Sequence, residues 1–353
     1  MKVISTPFFS VLLPTKDRSE LLADAVRSVL DQDFTSLELI IVDNDDVPGP
    51  TAEATRVSDS RLRYFRTGGL PMHSNWAYGL SKAVGRYLIV LEDKMRLAPG
   101  ALEILHRQLC ETPEDVIVFS TPYLDDGGPP RPLRVPPRRI RSDSAIADFA
   151  RFRPAALEAL PKGFNCSTPL ALLSDHGLGF VAIAPDYSLA FQLLSVVDDY
   201  LYLPTPLAYV PHRSSIIPKY SQGFAWQTKD PGSRRFLSQS GVTEAEIISR
   251  VPIKTPWIWI NPILYDFFTK YRGSCRVNWA DYYALCVYIV VSSRRSAREQ
   301  LTAIVAAFVR EPTGLKIAAL LSTALLIGHL TVSYLKRRLV RQLGVSRLSR
   351  TRA

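Results

Sequence analysis

Acidic residues in this chain stand where apolar runs end. LELIIV (Leu37 to Val42) closes into Asp43, Asn44, Asp45 and Asp46, and YLIVL (Tyr87 to Leu91) closes into Glu92 and Asp93. The run from Phe8 to Leu13 closes into Pro14 and Thr15, with Asp17 and Arg18 just beyond. Such carboxylates can accept hydrogen bonds from hydroxyl groups, hold a hard cation such as Mg²⁺ or Mn²⁺, or take the proton of an attacking hydroxyl. A further carboxylate, Asp186, follows Pro185 at the head of an apolar segment, where it could also cap a helix starting at Tyr187. The four cysteines, Cys110, Cys166, Cys275 and Cys286, form no CxxC pair and have no histidine at zinc-finger spacing, so reduced structural thiols are expected.

Bringing these groups together needs a particular frame. Phe8 to Leu13, Leu37 to Val42, Leu62 to Phe65 and Tyr87 to Leu91 read as buried strands, short, apolar and rich in strand formers. Between them lie helical patterns. One begins after Ser19, the expected N-cap, and runs through Leu21, Leu22, Ala25, Val26, Val29 and Leu30; another spans Ser74 to Val84. Alternating strands and helices predict a mostly parallel sheet flanked by helices, and ligands of such sheets sit outside the carboxyl ends of the strands. Thr15, Asp17, Asp43, Glu92 and Asp93 are therefore expected at one crevice.

The remainder of the 353 residues has a different character. Asp125 to Arg141 (DDGGPPRPLRVPPRRIR) predicts a long loop. From about Phe224, aromatic and apolar segments (Trp257 to Tyr271, Trp279 to Val291, Leu301 to Val309, Leu315 to Leu335) predict a helical C-terminal region. Two domains are expected, 1–223 and 224–353. With 47% hydrophobic and 22% charged residues the composition is that of a globular chain. Its net charge of +10 is concentrated locally, in five arginines between Arg131 and Arg141 and seven Lys/Arg between Lys336 and Arg352. These residues are not interleaved with aromatics on a recognisable binding module, which argues against nucleic acid.

Four pieces of the sequence carry a resemblance. VLLPTKDR (Val11 to Arg18) resembles the opening strand of family 2 glycosyltransferases, and LELIIVDNDD (Leu37 to Asp46) their second strand and base-binding loop. NWAYGLSKAVGRYLIVLED (Asn75 to Asp93) is similar to the segment leading into the acidic donor-site motif. PDYSLAFQLL (Pro185 to Leu194) followed by YLYLPTPLAYV (Tyr200 to Val210) is similar to the acceptor-side helix and its following strand. The resemblance covers roughly residues 8 to 215. It implies a GT-A-type, Rossmann-like α/β fold, and an inverting transfer of sugar from a UDP- or dTDP-linked donor to a glycan or lipid-linked acceptor in cell-surface polysaccharide synthesis. It also implies that Pro14, Thr15, Asp17 and Arg18 lie along the nucleotide, that Asp43 reads the base, and that Asn75 lines the pocket. Glu92 and Asp93 would stand near ribose and diphosphate, and Asp186 would be the catalytic base.

One residue departs from that pattern. Lys94 stands where a metal-binding carboxylate is expected. A lysine there sets a point charge against the diphosphate in place of some or all of the role of Mg²⁺ or Mn²⁺. Were a cation held, Asp93 would be its first ligand and His212, after the final strand, a second. The same departure leaves a second reading open, a catalytically inactive sugar-nucleotide-binding or scaffold subunit. A nucleotidyltransferase fits less well, because PTKDRSE is not the Gly-rich basic loop such enzymes need.

The N-terminal apolar run is too short for a signal peptide and is broken by Pro14, which predicts a cytoplasmic chain. Residues 317–335 carry no Asp, Glu, Lys or Arg and are long enough for a bilayer core, but Ser322, Thr323, Gly328, His329, Thr331 and Ser333 make them only moderately apolar. A buried helix and a span remain open. A helix lying on an anionic inner leaflet, anchored by Lys336, Arg337, Arg338 and Arg341, fits better.

Overall fold

The computed structural model describes residues 6–47, 49, 51–52, 57–113, 115–124, 130, 136–153, 158–181, 183–211, 231–255, 258–293 and 297–342. The chain forms two compact units. The first comprises Met1–Phe149, Arg153–Val251 and Thr255–Cys275, the second Ala150–Phe152, Pro252–Lys254 and Arg276–Ala353. The first unit thus extends past residue 223 to Cys275.

The first unit runs β1 (Phe9–Thr15), α1 (Ser19–Leu30), β2 (Leu37–Asp43), β3 (Leu62–Arg66), α2 (Met72–Leu80), β4 (Tyr87–Val90), β5 (Arg96–Leu97), α3 (Ala101–Glu111), β6 (Ile117–Ser120) and β7 (Tyr123–Leu124). It continues with β8 (Arg138–Arg141), α4 (Ser142–Ala150), β9 (Cys166–Pro169), α5 (Leu170–Asp175), α6 (Pro185–Leu193), β10 (Asp199–Pro206), β11 (Ala208–Pro211), α7 (Pro231–Gln239), α8 (Glu244–Ser249) and α9 (Ile260–Lys270). Eight strands form one sheet in the order β3-β2-β1-β4-β9-β6-β10-β8. The pairs β3–β2, β2–β1, β1–β4 and β6–β10 are parallel, and β9 inserts antiparallel between β4 and β6. This is the mixed α/β architecture with a mostly parallel sheet that the strand and helix pattern predicts.

Central strands covered on both faces must be apolar on both faces. Phe9, Val11 and Leu13 of β1 pack with Leu22, Val26 and Val29 of α1 and with Leu102, Leu105 and Leu109 of α3. On the opposite face, Leu12 of β1 and Val42 of β2 approach Gly79 of α2 so closely that a Cβ there would collide with both. The polar exceptions are paired. Glu38, the second residue of β2, accepts from the Ser10 hydroxyl at 2.6 Å and the Val84 N–H at 2.7 Å, and forms an ion pair with Arg63. Burying a carboxylate without such partners would be costly.

Two local expectations need correction. Helix α1 starts at Ser19 with Arg18 in the cap position and no side-chain cap bond, so Ser19 is not its N-cap. Asp17 has φ 54°, and this left-handed turn rather than a serine cap sets the entry to the helix. Part of the expected Pro-rich loop is a strand, because Arg138–Arg141 pairs antiparallel with Asp199–Tyr202 at the sheet edge. Arg139 bridges Asp115 and Asp199, and Arg138 lies over the Tyr202 ring. Residues 125–129 and 131–135 of that stretch lie outside the described residues.

The second unit is helical, with α10 (Trp279–Ser293), α11 (Ala297–Arg310) and α12 (Thr313–Gln342). Its core is aromatic. Tyr282 of α10 meets Phe152 and Trp279, and Tyr283 meets Phe308 and donates to Glu311 at 2.9 Å. No described helix is long and apolar enough to cross a membrane.

Candidate active site

Parallel pairing brings the carboxyl ends of β1, β2 and β4 level. Thr15 stands opposite Asp43 in the register, the Asn44 N–H donates to the Thr15 carbonyl at 3.0 Å, and the Leu91 N–H donates to the Leu12 carbonyl at 2.8 Å. Glu92 and Asp93 leave β4 beside Thr15 in consequence. A cavity of about 450 Å³ opens at this edge, lined by Pro14, Thr15, Lys16, Asp17, Arg18, Asn44, Leu70, Met72, Asn75, Trp76, Glu92, Asp93, Arg235, Phe236 and Gln239. Seven of the residues singled out by sequence therefore share one wall: Pro14, Thr15, Asp17, Arg18, Asn75, Glu92 and Asp93. Asp43, Lys94 and Asp186 lie off it.

Asp43 is fully buried. Its carboxylate accepts from the Tyr64 hydroxyl and from the Asp45 N–H, the latter at 2.8 Å. Burial raises its pKa against the pull of those two donors. Its neighbour Asn44, which does line the cavity, is locked to the Leu70 backbone by donating to its carbonyl and accepting from its N–H, both at 2.8 Å. Asp45 anchors the first turn by accepting from the Asp17 N–H and the Thr51 hydroxyl. The Asn75 side chain accepts from the Thr67 hydroxyl at 2.7 Å. The acidic loop after β2 is thus a scaffold for the strand ends and not a free turn.

Both oxygens of Asp93 are engaged, one by the Thr15 hydroxyl and one by Arg18, each at 3.0 Å. Glu92 pairs with Lys94 at 3.1 Å. Burial works against the Lys94 charge, but Glu92 and Tyr123 outweigh it and hold the ammonium above its ordinary pKa. Among the described residues no group of three His, Cys, Asp or Glu side chains gathers to hold a metal. His212 lies outside the described residues. Among the described residues this donor set, with its two carboxylates paired to Arg18 and Lys94, does not gather the ligands a divalent cation needs.

Asp186 sits in the first turn of α6, after Pro185, with Ala184 rather than Asp186 in the cap position. It is partly exposed. Desolvation and then the charge of Glu92 push its carboxyl up to about 6, against the pull of Lys162 and of the N–H groups of Tyr187 and Asp186 itself. Glu92 therefore belongs both to the cavity wall and to the surroundings of Asp186. Lys162 is buried, lies over the rings of Phe164 and Tyr187, and has its pKa lowered by desolvation despite Asp186.

The start of α6 is held from another helix. Asp266 of α9, fully buried, accepts from the Ala184 N–H at 2.7 Å and the Ile183 N–H at 3.4 Å. Burial pushes its carboxyl up to about 8. The rings of Phe149, Phe191 and Phe267 pack α9 against α6 beneath this contact.

Six side chains escaped the sequence reading. Arg235, Phe236 and Gln239 complete the cavity wall from α7, and Arg235 pairs with Asp46, which also pairs with Lys16 at 3.1 Å. Nothing in the strand-end pattern points to a helix more than 130 residues further on. Trp76 follows Asn75 within a recognised segment, so its signal was present. Lys162 and Asp266 are isolated charges in apolar surroundings, legible only once the chain is folded.

Residues 10–167 match the sequence model of the family described as glycosyl transferase family 2. The chain is 32% identical over 109 residues to GalNAc(5)-diNAcBac-PP-undecaprenol beta-1,3-glucosyltransferase of Campylobacter jejuni, covering 30% of this chain and 35% of that protein. It is 27% identical over 130 residues to the putative colanic acid biosynthesis glycosyl transferase WcaA of Escherichia coli, covering 35% of this chain and 45% of that protein. These matches span less than half the length of either relative. The solved structure of S. aureus TarS 1-349 in complex with UDP-GlcNAc aligns over 85% of this chain and 88% of that one, at 14% identity and a TM-score of 0.49.

Proposed function

We propose, for a chain whose residues 10–167 belong to glycosyl transferase family 2, an inverting glycosyltransferase that moves a sugar from a UDP- or dTDP-linked donor to a glycan or lipid-linked acceptor, on the cytoplasmic side, in cell-surface polysaccharide synthesis. The observation that carries this reading is the cavity at the carboxyl ends of β1 and β4, with Arg18, Glu92 and Asp93 on its wall and Asp186 within electrostatic reach of Glu92. The undecaprenol-linked substrate in the name of the Campylobacter jejuni relative supports a lipid-linked acceptor.

In this reading the nucleotide lies along Pro14, Thr15, Asp17 and Arg18, with Asn75 at its side and Asp43 fixing the loop that meets the base. Glu92 and Asp93 approach the ribose. Asp186 takes the acceptor hydroxyl proton as that oxygen bonds to C1 of the sugar, and the bond from C1 to the diphosphate oxygen breaks with its electron pair leaving on the phosphate. A carboxylate titrating near neutrality suits a general base. The leaving diphosphate needs positive charge, and Lys16, Arg18 and Arg235 stand around the cavity to supply it, with Lys94 behind Glu92.

The Glu92–Lys94 ion pair favours one other reading, an inactive sugar-nucleotide-binding or scaffold subunit. One experiment separates them. Calorimetry with a panel of UDP- and dTDP-sugars, run in EDTA and again with Mn²⁺, should give donor binding that Asp43→Ala weakens by roughly tenfold or more. Release of free nucleotide with an acceptor marks the enzyme, and binding without turnover marks the scaffold. No binding under either condition sinks both.

A further inference from the structure

Helix α12 of the second unit is amphipathic the wrong way round for a soluble bundle. Its large apolar residues Ile317, Leu320, Leu321 and Leu325 are exposed, Leu325 at 75%, and their spacing places them on one helical face. The inward side mixes the half-buried Leu315 and Leu326 with small and hydroxylated residues. Ala319 is 1% exposed, and Ser322 donates to Asp281 of α10 at 2.8 Å. Helix α11 repeats the arrangement, with Leu301, Val305 and Val309 exposed at intervals of four while Ile304 is buried. Isolated exposed apolar side chains are common, but a stripe on each of two helices of one unit, both packed on α10, marks surface that meets something.

The charge around the stripes selects the partner. From Thr313 to Ala353 the sequence holds eight Lys/Arg and no Asp or Glu. A second copy of the chain would bring the same positive charge to the contact and be repelled, whereas an anionic bilayer offers both an apolar interior edge and negative headgroups. No described helix is long and apolar enough to cross. We propose that the outward faces of α11 and α12 dock on an anionic phospholipid membrane, with the leucine and valine stripes entering the acyl boundary.

This inference stands apart from the donor assignment, because nucleotide binding is measured without lipid. Full-length protein is sedimented with phosphatidylcholine vesicles, with and without phosphatidylglycerol. Binding should be roughly tenfold or more stronger on the anionic vesicles and should weaken with salt. A chain carrying Leu320→Gln, Leu321→Gln and Leu325→Gln should lose that binding while keeping its circular dichroism melt and its nucleotide affinity. A second variant, Leu301→Gln with Val305→Gln, tests the α11 stripe and serves if the first fails to fold. Wild-type indifference to vesicles, or glutamine variants that bind as wild type does, overturns the proposal. So does light scattering showing a wild-type dimer that the glutamine variants break into monomers.

Discussion

Asp266→Asn isolates the consequence of burying a carboxyl group against the start of α6. The substitution keeps an oxygen for the Ala184 N–H and removes the titratable proton. In the folded protein burial pushes Asp266 from the ordinary 3.8 to about 8. The folded state therefore holds a proton that the unfolded chain releases, so the stability this group contributes is full below pH 4 and is lost as pH rises towards 8. Each pH unit inside that window changes the free energy of unfolding by about 1.4 kcal/mol. The asparagine variant lacks this dependence, and titrations common to both proteins cancel in the comparison. Between pH 5 and pH 7 the variant should gain about 2.7 kcal/mol on the wild type, which for a unit of this size is a relative rise in Tm of roughly 5–10 °C. Thermal denaturation of both proteins at pH 5, 6 and 7 measures it. A Tm difference that stays constant across the three pH values would refute a protonated, buried Asp266, whichever protein is the more stable.

Three other substitutions test the site and the packing beneath it. If Asp186 is the base, kcat/KM should climb with pH up to about 6 and then level; Asp186→Asn should abolish transfer with donor affinity kept within a few-fold, and Lys162→Met, by removing the cation that favours the carboxylate, should move the rising limb to higher pH. An unmoved limb in Lys162→Met would exclude that coupling. At Gly79 an added methyl would sit 2.7 Å from Val42 Cγ2 and closer still to Leu12, so Gly79→Ala should destabilise by about 1–3 kcal/mol despite the better helix propensity of alanine; a raised Tm would show that α2 has room to retreat from β1 and β2.

The strand ends were legible because a parallel strand covered on both faces must be a short apolar run, and the polar residue that ends it falls at the crevice by geometry alone. Thr15, Glu92 and Asp93 needed only that rule. The internal bonding of the site was not legible, since it depends on register. Thr15 meets Asp93, and Asp45 meets Asp17, only when β1 lies between β2 and β4. Glu38 hides inside an apolar run because its partners Ser10, Arg63 and Val84 come from separate segments. The strand at Arg138–Arg141 runs against local propensity and exists because β10 offers it an edge with Asp199 and Tyr202 to pair with. Asp266 has no local signature, as its function is defined by backbone N–H groups 82 and 83 residues earlier.

The wall that α7 lends to the cavity bears on how such proteins can be recombined. Arg235 is tied to Asp46 across 189 positions of sequence, and Phe236 and Gln239 face the same space as Thr15 and Arg18. If the cavity holds the donor as proposed, the segment that matches the family, ending at residue 167, is not a transplantable unit of donor choice. A chimera joined downstream of β11 would inherit one half of its binding surface from each parent. Exchanging donor preference between relatives requires the helix and the acidic loop to be moved as a matched pair.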